Sequence, residues 1–208
     1  MDGNKKIIIQ KKTKVFVMAP AHTFTGGPEL LHQVAVDIKK TFKVNVKMFY
    51  LPILESNPVH SNFKKYKLDY SDFIDDNEKN ILIIPEHYHF IKYSLKYKKI
   101  KKILWWLSLD NYFGYKFRYN YNKFSRSILK IPFNIFRIFN KVTYYYFEIF
   151  TYHDYLKFLY SFSKLQKFKE LKQMDLHLAQ SKYAYNFLKL HFKNLKFLSD
   201  YQRDEILK

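Results

Sequence analysis

Two runs limit what this chain can fold into: Asn80–Ile84 (NILII) and Lys102–Leu107 (KILWWL). Both are apolar at nearly every position and lack the alternation of a strand with one wet face. Runs of this kind suit strands covered on both sides, as in a parallel sheet with helices above and below. Lys14–Met18 (KVFVM), Asn45–Tyr50, Ser71–Ile74, Asp175–Ala179 and Leu195–Leu198 read as further short strands. Between them lie helical patterns over Thr23–Asp37, roughly Tyr88–Lys99, and Lys182–Phe192. Alternating strands and helices predict an α/β, doubly wound, mostly parallel Rossmann-like sheet.

The stretch TFTGGPELLHQVAVD, Thr23–Asp37, carries two of the chain's four glycines, side by side at Gly26 and Gly27. Such a pair points to backbone that a Cβ would obstruct. Pro28 suits a first helical turn, Glu29 sets a carboxylate near the positive end of the helix dipole, and Leu30, Leu31, Val34, Ala35 and Ile38 make one buried face. Strand, glycine loop and helix in succession either present backbone N–H groups to an anion or sugar, or form a tight turn with no ligand.

With 208 residues, 48% of them hydrophobic, the chain can bury a sizeable core. Lys and Arg number 37 against 18 Asp and Glu, a formal charge of +19. Most of these cations are lysines accompanied by abundant Phe, Tyr, Ile and Asn, residues that an AT-rich genome over-supplies, so part of the basicity reflects composition. Nucleic acid is not favoured, because Arg, the bidentate reader of bases and phosphates, is scarce. Anionic membrane asks only for Lys and interfacial aromatics. No cysteine is present, which excludes a disulfide framework and thiol metal ligands. The N-terminal apolar run is too short for a signal peptide, and no charge-free window of about 18 apolar residues predicts a membrane span. The expected location is cytoplasmic, at most on the inner face of the cell membrane.

Polar groups cluster just after the expected strands: His22–Thr25, Glu86–His87, Ser108–Asn111 and Gln180–Ser181. In an open parallel sheet those positions share one edge, where ligands bind. Taken singly, each also fits a helix cap, a turn or a solvated side chain.

The run FVMAPAHTFTGGPELLHQVAVDI resembles the opening strand, loop and helix of bacterial GT-B glycosyltransferases, in particular the retaining group of cell-surface polysaccharide synthesis. NILIIPEHY, ILWWLSLDNYF and LHLAQSKYAYNFL are similar to later segments of that N-terminal domain, in the same order. The resemblance covers most of the chain outside residues 112–172, and GGPELLHQ and WWLS-x-DNY are its more specific parts. It implies the acceptor-side half of an enzyme that moves a sugar from a nucleotide-sugar donor to a surface polysaccharide, lipopolysaccharide or other lipid-linked acceptor, without an added cofactor. It further implies that residues 1–111 and 173–200 form the Rossmann-like GT-B N-terminal domain. Residues 201–208 would begin a linker to a C-terminal donor domain supplied in cis or in trans, since nothing here matches the family's paired donor-binding glutamates.

On that footing Gly26 and Gly27 are expected to offer backbone N–H groups to the donor phosphate or the transferring sugar. Asp110, after the most buried strand, is the first candidate for a carboxylate acting on a hydroxyl, followed by Glu86, His87 and His22. Thr25, Ser108, Asn111, Gln180 and Ser181 are candidates for holding sugar hydroxyls, although Gln180 and Ser181 also read as a helix cap. Asp75 and Asp76 read as a solvated turn, and no obligatory metal is expected. Trp105 and Trp106 read as core, one indole on each side of their strand.

Residues 112–172 form an expected insertion with about half of the chain's aromatics and a large excess of Lys and Arg. Ile135, Phe139, Val142, Tyr146, Ile149 and Phe150 fall on one helical face, which either packs on the domain or faces anionic membrane. The rival to the enzyme is a non-catalytic basic, aromatic module for anionic membrane or nucleic acid.

Overall fold

The computed structural model describes residues 7–54, 56–113 and 169–199. Strand β1 (Lys14–Pro20) leads into helix α1 (Gly26–Phe42) and returns as β2 (Asn45–Leu51). A 3-10 turn, Ser61–Tyr66, precedes the two-residue β3 (Asp69–Tyr70). Then come β4 (Ile81–Pro85), α2 (Tyr88–Ser94) and β5 (Lys101–Trp106), and finally β6 (Leu176–Ala179), α3 (Lys182–Leu188) and β7 (Leu195–Phe197). Residues 109–113 are helical. The strands form one sheet in the order β3-β2-β1-β4-β5-β6-β7, with every pair parallel. This is the Rossmann-like doubly wound order, whose direction of winding reverses between β1 and β4.

The apolar runs explain the layering. Alternate residues of one strand face opposite sides, so Val15, Val17 and Ala19 pack with α1, whereas Phe16 and Met18 belong to the opposite core with α2 and α3. Trp105 joins the α1 side and Trp106 the other, both fully buried. On α1 the buried face is Leu30, Leu31, Val34 and Ala35, with Lys39 and Lys40 at the dipole-negative end. Among the described residues no helix is long and apolar enough to cross a membrane.

Several expected elements are displaced. The third strand lies at Asp69–Tyr70, not Ser71–Ile74, because Lys47 and Met48 on β2 pair with those earlier residues. Helix α2 stops at Ser94, well short of Lys99: the Ser94 hydroxyl donates to the Ile91 carbonyl, and the N–H groups of Lys98, Lys99 and Ile100 all turn to the Asp76 carboxylate. Those N–H groups would otherwise continue the helical ladder. Asp76 is therefore a clasp rather than a solvated turn, and its neighbour Asp75 pairs with Lys14 at 2.9 Å. Helix α3 likewise ends at Leu188, whose carbonyl takes the N–H of both His191 and Phe192. This brings the Phe192 ring onto His177, centroids 3.9 Å apart. The amphipathic stripe expected from Ile135 to Phe150 lies outside the described residues.

Candidate functional site

At the switch between β1 and β4, the carboxyl ends of the strands carry the groups that matter. The parallel register sets Pro85 beside Trp105, so the residues that follow, Glu86 and Leu107, come within reach. The Leu107 N–H donates to Glu86 Oε2 at 3.2 Å, and the Asn111 side-chain amide donates to Oε1 at 3.3 Å. Asn111 is in turn held by its own N–H, which donates to the Ser108 hydroxyl at 3.3 Å, so that Ser108 caps the 109–113 turn. Glu86 is buried at 4% exposure. Burial pushes its carboxyl up to about 7, and the N–H bonds from its own backbone, Leu107, Asn111 and Ser108 only partly offset that. The group is thus divided between acid and base near neutrality.

The first turn of α1 reaches the same place. A Cβ built on Gly27 would meet Leu107 Cδ1 at 3.5 Å, an ordinary contact, and one on Gly26 would meet nothing within 4 Å. Neither glycine has positive φ. The expectation that the pair relieves backbone strain is corrected: both sit in regular helix, and the left-handed residue in this loop is His22, with φ 52°. The loop takes that turn because Ala21 and His22 donate to the carbonyls of Leu51 and Pro58, which ties it to the chain after β2. Thr25 is the N-cap in extended conformation, with no side-chain cap bond. The first-turn amides at Gly26 and Gly27 therefore remain available for a ligand, and no side chain on the glycines obstructs their approach.

His87 caps α2, its Nδ1 accepting the His89 N–H at 3.3 Å. That bond puts the ring proton on Nε2. Burial, then the neighbouring His89, lowers its pKa to about 4, so the ring is neutral at physiological pH. Asp110 is half-buried in the first turn of the 109–113 helix, a usual place for an acid. Glu86, rather than Asp110, is the carboxyl knit to the ends of both β4 and β5. Gln180 donates its N–H to the Trp106 carbonyl at 3.1 Å, and the Ser181 hydroxyl accepts the Ala184 N–H, capping α3. His22 and Thr25 are exposed.

One cluster had no counterpart in the sequence reading. Glu29, buried in the first turn of α1, pairs with Lys65 at 3.1 Å and accepts the Tyr66 hydroxyl at 3.0 Å. One turn on, His32 donates from Nδ1 to the Pro28 carbonyl at 2.6 Å and accepts the Tyr50 hydroxyl on Nε2 at 2.7 Å, its ring stacked on Phe63. Burial lowers the His32 pKa, so a neutral ring suits this tautomer. The signal was there to find: a polar residue at 32 sits on the helix face marked by Leu31 and Ala35. Among the described residues, no three His, Asp or Glu side chains group so as to hold a metal ion.

The crevice thus joins Gly26–Gly27, Glu86–His87 and Ser108–Asn111, while Gln180–Ser181 contributes a helix cap one strand away. Comparison of the chain with protein-family models, with curated proteins and with solved structures returned no match.

Proposed function

We propose that this domain is the acceptor-side half of a GT-B glycosyltransferase, moving a sugar from a nucleotide-sugar to a surface polysaccharide or lipid-linked acceptor. The observation that carries the reading is Glu86: a buried carboxyl at the switch point, poised near neutrality and adjoining the uncapped first turn of α1. In transfer, the acceptor hydroxyl gives up its proton, its oxygen bonds the anomeric carbon, and the bond from that carbon to the phosphate oxygen breaks. A carboxyl near pH 7 is suited to that proton, and helix N–H groups are suited to the phosphate charge that develops. Asn111 and Ser108 supply hydrogen bonds for sugar hydroxyls, and the His87 Nε2–H is a further donor. The nucleotide-sugar itself would be held mainly by a second Rossmann-like domain, in cis or in trans.

The experiment is release of nucleoside diphosphate from a panel of nucleotide-sugars by the protein carrying both halves, with glycan and lipid-linked acceptors. Glu86→Gln should lower turnover by about 100-fold or more, the usual worth of a positioned acid or base, while the fold persists. No release across the panel, or a Gln variant as fast as the parent, would refute the reading. Binding of anionic vesicles or nucleic acid without any transfer would favour the non-catalytic module instead.

A further inference from the structure

A carboxyl that exchanges its proton must be held in two protonation states, and the partners of Glu86 differ in which state they can hold. Oε2 accepts the Leu107 N–H at 3.2 Å, and the N–H groups of Ser108 and of Glu86 itself also donate to the carboxyl. A backbone N–H can only donate, so these groups suit the carboxylate and offer nothing to a carboxyl O–H. Asn111 is different. Its Nδ2 donates to Oε1 at 3.3 Å, yet the same amide carries an acceptor, Oδ1, on its other arm. A half turn about the Cβ–Cγ bond exchanges the two arms with almost no change of shape.

The fold leaves Asn111 able to make that turn. Its side chain is exposed while Glu86 is buried, so the amide rotates without disturbing the core. Its backbone is nevertheless anchored: the N–H donates to the Ser108 hydroxyl at 3.3 Å, and the next two residues, Tyr112 and Phe113, are fully buried. Among the described residues Asn111 is the one side chain that bonds the Glu86 carboxyl. The titratable groups around the pair have other ties or states. His87 adjoins Glu86 in the chain and is neutral at physiological pH, and Asp110 adjoins Asn111. From the first turn of α1, Glu29 is bonded to Lys65 and Tyr66.

We propose that Asn111 is the positioning residue of Glu86: its Nδ2 holds the carboxylate, and its amide turns to receive the O–H of the protonated carboxyl on Oδ1. The use of this turn rests on the sugar-transfer reading, whereas the coupling of the two side chains does not. In transfer, the proton of the acceptor hydroxyl passes to the Glu86 carboxylate, and the new O–H donates to Oδ1. Loss of that proton to solvent restores the bond from Nδ2. This role is additional to any hydrogen bond that Asn111 makes to a sugar hydroxyl.

The test follows the Glu86 carboxyl and the Asn111 side-chain amide by NMR against pH in the full chain, in the parent, Asn111→Leu and Asn111→Asp. Leucine removes a bond to the charged carboxylate that is stronger than the bond to the neutral form, so the Glu86 midpoint should rise by about 0.5–1 pH unit. Aspartate removes the donor and adds a second negative charge, and the midpoint should rise by about 2 pH units or more. In the parent, Overhauser contacts between the Nδ2 protons and the Glu86 side chain should be strong above the midpoint and weaken below it. Melting curves confirm that each variant folds. A Glu86 midpoint unmoved in either variant, or Overhauser contacts constant through the parent's titration, overturns the proposal, whatever the midpoint's absolute value. If the coupling is seen but the protein carrying both halves turns over no nucleotide-sugar, the role of Asn111 stands and the sugar-transfer reading falls.

Discussion

Two buried carboxyls stand near the start of α1, and their surroundings give them different uses. Glu29 faces a cation and a phenol, Lys65 and Tyr66, both from the 3-10 turn that follows β2. Among the described residues Glu86 faces amide donors: its own N–H, and Leu107, Ser108 and Asn111 from the chain that follows β5. A carboxylate with a neighbouring ammonium has its charge matched, and its work is to pin the 3-10 turn to the helix. One with only amides keeps its charge in part uncompensated, so burial drives its pKa upward and its proton becomes exchangeable near pH 7. Position on the sheet edge alone does not make a reactive group; the identity of the partner does.

The comparison can be broken most strongly through pH. A carboxyl whose pKa rises on folding holds its proton more tightly in the folded chain. Its contribution is whole below the ordinary value of 4.5 and is lost as pH climbs through about 7. Glu86→Gln removes that dependence, so the variant should gain on the parent by about 3 kcal/mol between pH 4 and pH 9, at 1.36 kcal/mol for each pH unit separating the two values. Denaturant melts at a series of pH values read it directly, and parallel curves for the two proteins would show that Glu86 titrates normally.

A smaller loss is expected at the other carboxyl. Glu29→Gln should cost about 1–2 kcal/mol, the range for a weakened hydrogen bond to a charged group, and denaturant melts of the two proteins measure it. A variant as stable as the parent would show that the bonds from Lys65 and Tyr66 do not pin the 3-10 turn.

The smallest effect belongs to the glycines. Because Gly26 is helical with open space where a Cβ would stand, Gly26→Ala should leave stability unchanged or raise it by up to about 1 kcal/mol. Any fall in donor or acceptor affinity in that stable variant would mark close approach of a ligand to the helix amides. A large loss of stability would show that the pair serves the backbone after all.

What could be read from the sequence follows the same divide between local and distant causes. NILII and KILWWL declare buried parallel strands because the signal lies within five or six residues. The buried face of α1 is equally local. Helix α2 misled because its pattern runs on past Ser94, while the group that stops it, Asp76, is some twenty residues upstream. Leu188 ends α3 for a comparable reason, with Phe192 drawn onto His177 from another strand. Glu86 could be flagged as a polar residue after a buried strand. Its pKa could not, because it depends on Leu107 and Asn111 and on a burial that only the folded sheet creates. Asp110 ranked ahead of it from its place after the most buried strand, and what marks out Glu86 is its bonding to the Leu107 N–H and the Asn111 amide.

The central claim is that Glu86 exchanges its proton near neutrality at the switch point of the sheet. Carbon-13 NMR of the glutamate carboxyls, followed against pH and assigned by comparison with Glu86→Gln, measures this in the intact chain. The structure predicts a Glu86 resonance titrating at about 7, absent from the variant. A Glu86 carboxyl that titrates near its ordinary value of 4.5 would contradict the claim, and with it the proposed role of this edge in proton transfer.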